Sequence, residues 1–126
     1  MSIDNDNIIM TGAVSGQTLE ELYSNAYVYV LPSDVEGLPI SLLEAMSYNR
    51  CCVISDIKEN TTTSDGKAVS FKQGNVKDLY EKLRDLENTP IEEIRRMGVE
   101  AGEHVRANYQ WKNVVEKTLA VYEKLQ

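Results

Sequence analysis

Four short apolar runs alternate with amphipathic stretches along the chain. Ile8 to Met10, Tyr27 to Leu31, Cys51 to Ser55 and Ala68 to Phe71 are too short for helices and are flanked by polar or turn-forming residues, so each predicts a strand. Tyr27 to Leu31 is apolar throughout, as in a strand covered on both faces of a parallel sheet. Between these runs the spacing becomes helical. Thr18-Leu19-Glu20-Glu21 reads as a capping box before Leu19, Leu22, Tyr23 and Ala26, predicting a short helix. Pro39 opens a second helix that runs to Tyr48, and Asn49, which tolerates the left-handed conformation, is its stop. Lys58 to Lys67 is polar and reads as loop with a single helical turn. Val76, Leu79, Tyr80, Leu83 and Leu86 form one helical face. Pro90 starts a further helix with Ile91, Ile94, Met97 and Val105, broken at Asn108-Tyr109-Gln110. Trp111 begins a last one carrying Val114, Val115, Leu119, Val121, Tyr122 and Leu125. Strands alternating with helices predict an α/β fold, a partial Rossmann-like parallel sheet flanked by helices.

Length makes this one domain, residues 1–126. A formal net charge of −7 disfavours nucleic acid, which needs a basic surface, and disfavours a polybasic membrane patch. No apolar run approaches the roughly 18 residues of a membrane span. No charged leader with an apolar segment opens the sequence, so a secretory signal is not expected. Cys51 and Cys52 are adjacent in a predicted strand and point to opposite faces, which suits two small buried hydrophobes in a reducing compartment better than a disulfide or a metal site. His104, among Glu100, Glu103 and Arg106, reads as a surface histidine.

The candidate chemistry lies between the second strand and its helix. Glu36 and Glu44 stand with seven residues between them in the run Glu36-Gly37-Leu38-Pro39-Ile40-Ser41-Leu42-Leu43-Glu44. Glu36 falls in the loop, and Glu44 lies about 7 Å along the helix. The N–H groups of the first helical turn face the loop and favour an anion. Two acids can therefore flank one small polar ligand at the end of a parallel strand, where open α/β sheets bind ligands. The alternative reading is a buried helix of Leu42, Leu43, Ala45 and Met46 with acids that complement its dipole.

These pieces, taken in order, resemble the C-terminal donor-binding domain of the group 1 family of retaining glycosyltransferases, which have the GT-B fold. The resemblance is carried by Ile8 to Gly12, Leu19 to Tyr23, Val28-Tyr29-Val30-Leu31-Pro32-Ser33, Glu36-Gly37-Leu38-Pro39, Glu44-Ala45-Met46, Val53 to Ile57, Gly74-Asn75-Val76 and Trp111 through Leu125. It implies a nucleotide-sugar donor, with Glu36 as the catalytic-site acid on the sugar hydroxyls and Glu44 on the ribose hydroxyls. A carboxylate suits a vicinal diol because each oxygen can accept from one hydroxyl. The backbone of Gly37, Leu38, Pro39, Ile40, Ser41 and Leu42 would meet the sugar and diphosphate, with Gly37 allowing close approach. Neither metal nor other cofactor is implied, and retention of configuration is. The implied acceptor is a glycan, polysaccharide or glycolipid. The implied location is cytoplasmic, or peripheral at the inner face of the membrane.

The sequence departs from this pattern at several places. Tyr27 and Thr62 stand where the family often carries acids, and Thr61 to Gly66 is unusually polar. The acceptor-binding N-terminal domain and the first part of the donor domain have no counterpart, and residues 1–49 contain neither Lys nor Arg to grip a diphosphate. The chain is therefore expected to be a glycosyltransferase fragment that is inactive alone. Without the strands that would separate them, residues 8 to 11 are expected to pair with the open edge of strand 27 to 31, or two chains to associate through it as a homodimer. Two further readings stay open: a non-catalytic module that binds nucleotide sugars, and another GT-B enzyme such as a nucleotide-sugar epimerase.

Overall fold

The computed structural model describes residues 8, 9, 12, 14–32 and 38–109. Its elements run α1 (Gly16–Asn25), β1 (Val28–Leu31), α2 (Ile40–Ser47), β2 (Cys51–Ser55), α3 (Lys58–Ser64), β3 (Val69–Phe71), α4 (Val76–Glu87) and α5 (Ile91–Asn108). The sheet order is β1-β2-β3, and both pairs are parallel. Val28 pairs with Cys51 and Leu31 with Ile54, while Val53 pairs with Val69 and Ser55 with Phe71. The expected α/β parallel sheet is present.

Strand β2 is central and buried along its whole length. Its side chains alternate between two apolar layers. Cys52 and Ile54 join Leu42, Leu43, Ala45 and Met46 of α2 and Ala101 and Val105 of α5, with Tyr23, Tyr29 and Leu31 against them. Cys51 and Val53 join Phe71, Leu86 and Ile94, with Val28, Val30, Leu79 and Met97. The two cysteines thus serve opposite layers, as expected, and both are free thiols. Each fully buried Leu or Met contributes about 1.5–3 kcal/mol, so the α2 face anchors the helix that carries Glu44.

Side-chain bonds join the ends of these elements. Asn49, at φ 58°, turns the chain from α2 into β2. The Arg106 guanidinium donates to its side-chain oxygen through both terminal nitrogens at 3.2 Å, fixing α5 to that turn. Arg50, the first basic residue of the chain, donates to the Ala26 and Tyr48 carbonyls at 2.9 and 3.0 Å. The Tyr27 hydroxyl donates to the Leu86 carbonyl at 3.1 Å, tying the start of β1 to the end of α4.

Four expectations need correction. The helix expected at Thr18 begins at Gly16, whose φ of 61° turns the chain two residues earlier. Thr18 then lies inside the helix and caps nothing. Lys58 to Ser64 forms α3 rather than loop, because Asn60, Thr63 and Ser64 are buried, and Asn60 donates to the Ser55 hydroxyl at 3.1 Å. His104 is half-buried rather than on the surface, with Nε2 2.8 Å from the Thr63 carbonyl and Nδ1 3.1 Å from the Asn108 amide nitrogen. A carbonyl only accepts, so Nε2 carries the proton. Finally, Ile8 and Ile9 are exposed and lie in no strand, so they do not pair with β1. Met10, Thr11 and the helix expected from Trp111 to Leu125 lie outside the described residues.

Candidate functional site

The strands end at Leu31, Ser55 and Phe71, on the side where α2 begins. Glu36 and Gly37 lie outside the described residues. Leu38, Pro39, Ile40, Ser41, Leu42 and Glu44 are all placed, with Leu38 and Ile40 packed on the α2 layer. Pro39 takes the cap position rather than the first helical one, and its carbonyl accepts from the Leu42 and Leu43 amides at 3.1 and 3.2 Å. The Ile40 amide turns back to the Leu38 carbonyl at 2.9 Å. Much of the first turn is therefore satisfied internally. Among the described residues none accepts from the Ser41 amide, which leaves it and the helix dipole to favour negative charge.

Ser41, Glu44 and Tyr48 recur at helical spacing and share one face of α2. That face meets tyrosines from α1 and β1. Tyr23 stacks on Tyr48 with ring centroids 5.4 Å apart and planes 9° from parallel. It also leans on Tyr29, 5.9 Å away and tilted by 49°. Glu44 is among the neighbours that act on the Tyr23 hydroxyl, and Ser41 is among those that act on the Tyr29 hydroxyl. Burial first, then the neighbouring Tyr29 and Glu44, raise the Tyr23 hydroxyl well above its ordinary range. Burial also raises Tyr29, against a smaller opposing effect of the Ser41 hydroxyl. Both phenols stay protonated near neutral pH. Reading the sequence missed this seam, although the four-residue step from Glu44 to Tyr48 hints at it.

A second concavity of about 500 Å³ lies on the far side of β2 at the same sheet end. Asp56, Lys72, Lys77, Asp78, Glu81 and Lys82 line it. Its acids are partly engaged: Asp56 accepts from the Gln73 amide at 2.9 Å and Asp78 from the Lys72 amide at 2.7 Å. Among the described residues, no group of three or more His, Cys, Asp or Glu side chains is placed to hold a metal ion.

Residues 4–105 match the family model described as glycosyl transferases group 1. The chain belongs to that family. It is 31% identical over 116 residues to the sulfoquinovosyl transferase of Arabidopsis thaliana, covering 86% of this chain and 22% of the relative. It is 30% identical over 114 residues to the alpha-maltose-1-phosphate synthase of Mycolicibacterium smegmatis, covering 85% of this chain and 30% of the relative. This group 1 chain thus spans less than a third of the length of those relatives. Its fold is shared with sucrose-phosphate synthase from Thermosynechococcus elongatus, at a TM-score of 0.70 and 21% identity, over 86% of this chain and 27% of that one. Among the described residues of this group 1 domain, no helix is long and apolar enough to cross a membrane.

Proposed function

We propose that this chain is the nucleotide-sugar half of a retaining glycosyltransferase, whose acceptor-binding domain lies outside these 126 residues. Glu36 meets the sugar hydroxyls, Glu44 meets the ribose hydroxyls, and the backbone from Gly37 to Leu42 meets the sugar and the diphosphate. Glu44 carries this reading. It is half-buried on a helix that starts at the sheet end, one turn before Tyr48, on which the Tyr23 ring is stacked. A carboxylate so placed retains lone pairs for a diol. Chemistry of this kind needs no metal, since the leaving diphosphate can be stabilised by the helix dipole and by cations. Residues 1–49 hold no such cation; a second reading is a non-catalytic module that binds nucleotide sugars.

An NMR titration of the chain with uridine, guanosine and adenosine diphosphates tests the site. Weak binding is expected, near millimolar, about 4 kcal/mol in free energy, with shifts centred on residues 36–44. Shifts centred on the cavity beside Lys72 and Lys77, with 36–44 silent, would refute it. Among the described residues β1 pairs only with β2, so its other edge suits a second copy of this chain. Light scattering that reports a monomer at all concentrations would exclude that association.

A further inference from the structure

We propose that a cavity at the opposite end of the sheet, where β1 and β2 begin, binds a small organic phosphomonoester. Arg50 and Arg95 hold its phosphate, and Tyr27, Ile91 and Val99 take its apolar body. The site shares no residue with the reading of Glu44 and does not depend on it. The cavity measures about 410 Å³, at the small end of the roughly 300–1,000 Å³ in which small molecules bind. Buried Cys51 of β2 and Ile94 of α5 close it on the inside. Helical spacing builds one wall. On α5, Ile91, Arg95 and Val99 follow at four-residue steps and so stand on one face. Arg96, the next residue round, has Glu93 and Glu100 within helical reach and pairs with both. Arg95 has apolar residues at its own four-residue steps, and among the described residues it makes no hydrogen bond or ion pair.

Arg50 borders the same cavity. Its Nη1 and Nε donate to the Ala26 and Tyr48 carbonyls, which position the guanidinium without neutralising it and leave Nη2 for a ligand. No Asp or Glu lines the cavity, in a chain that holds 20 acids to 13 bases. The concavity beside Lys72, by contrast, sets three lysines among three acids. Two guanidiniums without a counter-ion call for a dianion, and their forked donors match phosphate oxygens. A carboxylate brings one charge, whereas a phosphomonoester brings close to two near neutral pH. Exposed apolar surface sets the rest of the ligand. Tyr27, Ile91 and Val99 are large apolar side chains that the fold leaves exposed, and all three border this one cavity. The Tyr27 hydroxyl is committed to the Leu86 carbonyl, so its ring is what it offers. An exposed apolar patch rimmed by polar groups marks a binding surface, and bare phosphate would leave this one uncovered.

The test titrates the full 126-residue chain with phenyl phosphate, inorganic phosphate and phenyl sulfate, followed by NMR. Phenyl phosphate is expected to bind, with shifts centred on residues 25–27, 49–51 and 91–99. Inorganic phosphate lacks the apolar body and phenyl sulfate lacks the second charge, so each is expected to bind about tenfold more weakly. Arg95→Gln is expected to lose about tenfold toward phenyl phosphate, the scale of a hydrogen bond to a charged group, while Arg84→Gln on α4 loses nothing. The proposal fails if phenyl phosphate gives no saturable shifts, or gives them at residues 38–44 or beside Lys72 with this end of the sheet silent. Equal affinity for inorganic phosphate overturns the organic ligand, and equal affinity for phenyl sulfate overturns the paired guanidiniums. Unchanged affinity in Arg95→Gln, or the same loss in Arg84→Gln, overturns the site. If the same resonances move when the free chain is diluted, the face is an interface between copies and the proposal fails. The three ligands are compared on the wild-type chain, so the test holds even if Arg95→Gln loses its melting transition.

Discussion

The backbone carbonyl of Asn49 occupies the place where a side chain on Gly98 would begin: a Cβ there would lie 2.0 Å from that oxygen. One turn on, a Cβ on Gly102 would lie 1.8 Å from the Asn49 side-chain oxygen. The two sites differ in what can yield. At Gly98 the obstacle is backbone held in a left-handed turn. At Gly102 it is a side chain.

Gly98→Ala should therefore destabilise the chain by about 1–3 kcal/mol or more, the cost of overpacking, although alanine is by about 1 kcal/mol the better helix former. Gly102→Ala should cost less, because Asn49 and Arg106 can shift together. Urea denaturation of both variants checks the ranking. A Gly98→Ala chain as stable as wild type would contradict the described α2–α5 packing.

Burial pushes the Cys51 thiol up to about 11 from its ordinary 9. Cys52 is raised too, by burial first and by Cys51 next, with Arg50 opposing. Below pH 9 both folded and unfolded chains keep these protons, so stability does not depend on them there. As pH rises from 9 to about 11, the unfolded chain loses protons that the folded one keeps, and stability falls. For Cys51 the loss is on the order of 2–3 kcal/mol. Cys51→Ala should flatten part of this alkaline decline in denaturation at about pH 8 and about pH 11.

His104 joins α5 to the carbonyl end of α3. His104→Ala should cost about 1–2 kcal/mol, since it leaves the Thr63 carbonyl without that partner. Hydrogen exchange should locate the loosening in α3. Faster exchange confined to the C-terminal turn of α5 would instead make the histidine a local cap for Asn108.

Purified chain should transfer no sugar from any nucleotide sugar, because positioned groups from both sides of a cleft are needed. A product assay across uridine, guanosine and adenosine donors measures this. Turnover that disappears in Glu36→Ala would show that the chain alone is sufficient.

Strand β2 was legible to the residue because Cys51 to Ser55 is too short for a helix and flanked by polar residues. The expectation that strand 27 to 31 is covered on both faces was not met: β1 is half-buried, because it lies at the edge of the described sheet. Helix α4 was legible because its apolar residues fall on one helical face; its Asn75 cap, which accepts from the Asp78 amide, was seen only in the structure. Helix α3 was not legible. Threonine, serine and asparagine are weak helix formers, and only the long-range burial of Asn60, Thr63 and Ser64 makes a helix of them. His104 was misread for a related reason, since its charged neighbours suggested solvent while its partner Thr63 lies 41 residues away. At the site, the acid pair was visible as a spacing. The tyrosines were not, because Tyr23, Tyr29 and Tyr48 belong to three separate elements and their rings meet only once the chain is folded.

Helix α2 is gripped at its far end. Asn49 is seated against α5 and tied to Arg106, and Tyr48 is stacked on Tyr23 and bonded through its carbonyl to Arg50. Its near end is held as well, with Leu42 and Leu43 buried and Leu38 and Ile40 packed against the same core. Gripped along its length, the helix moves as one piece, so replacements on α5 that displace its far end also displace Glu44.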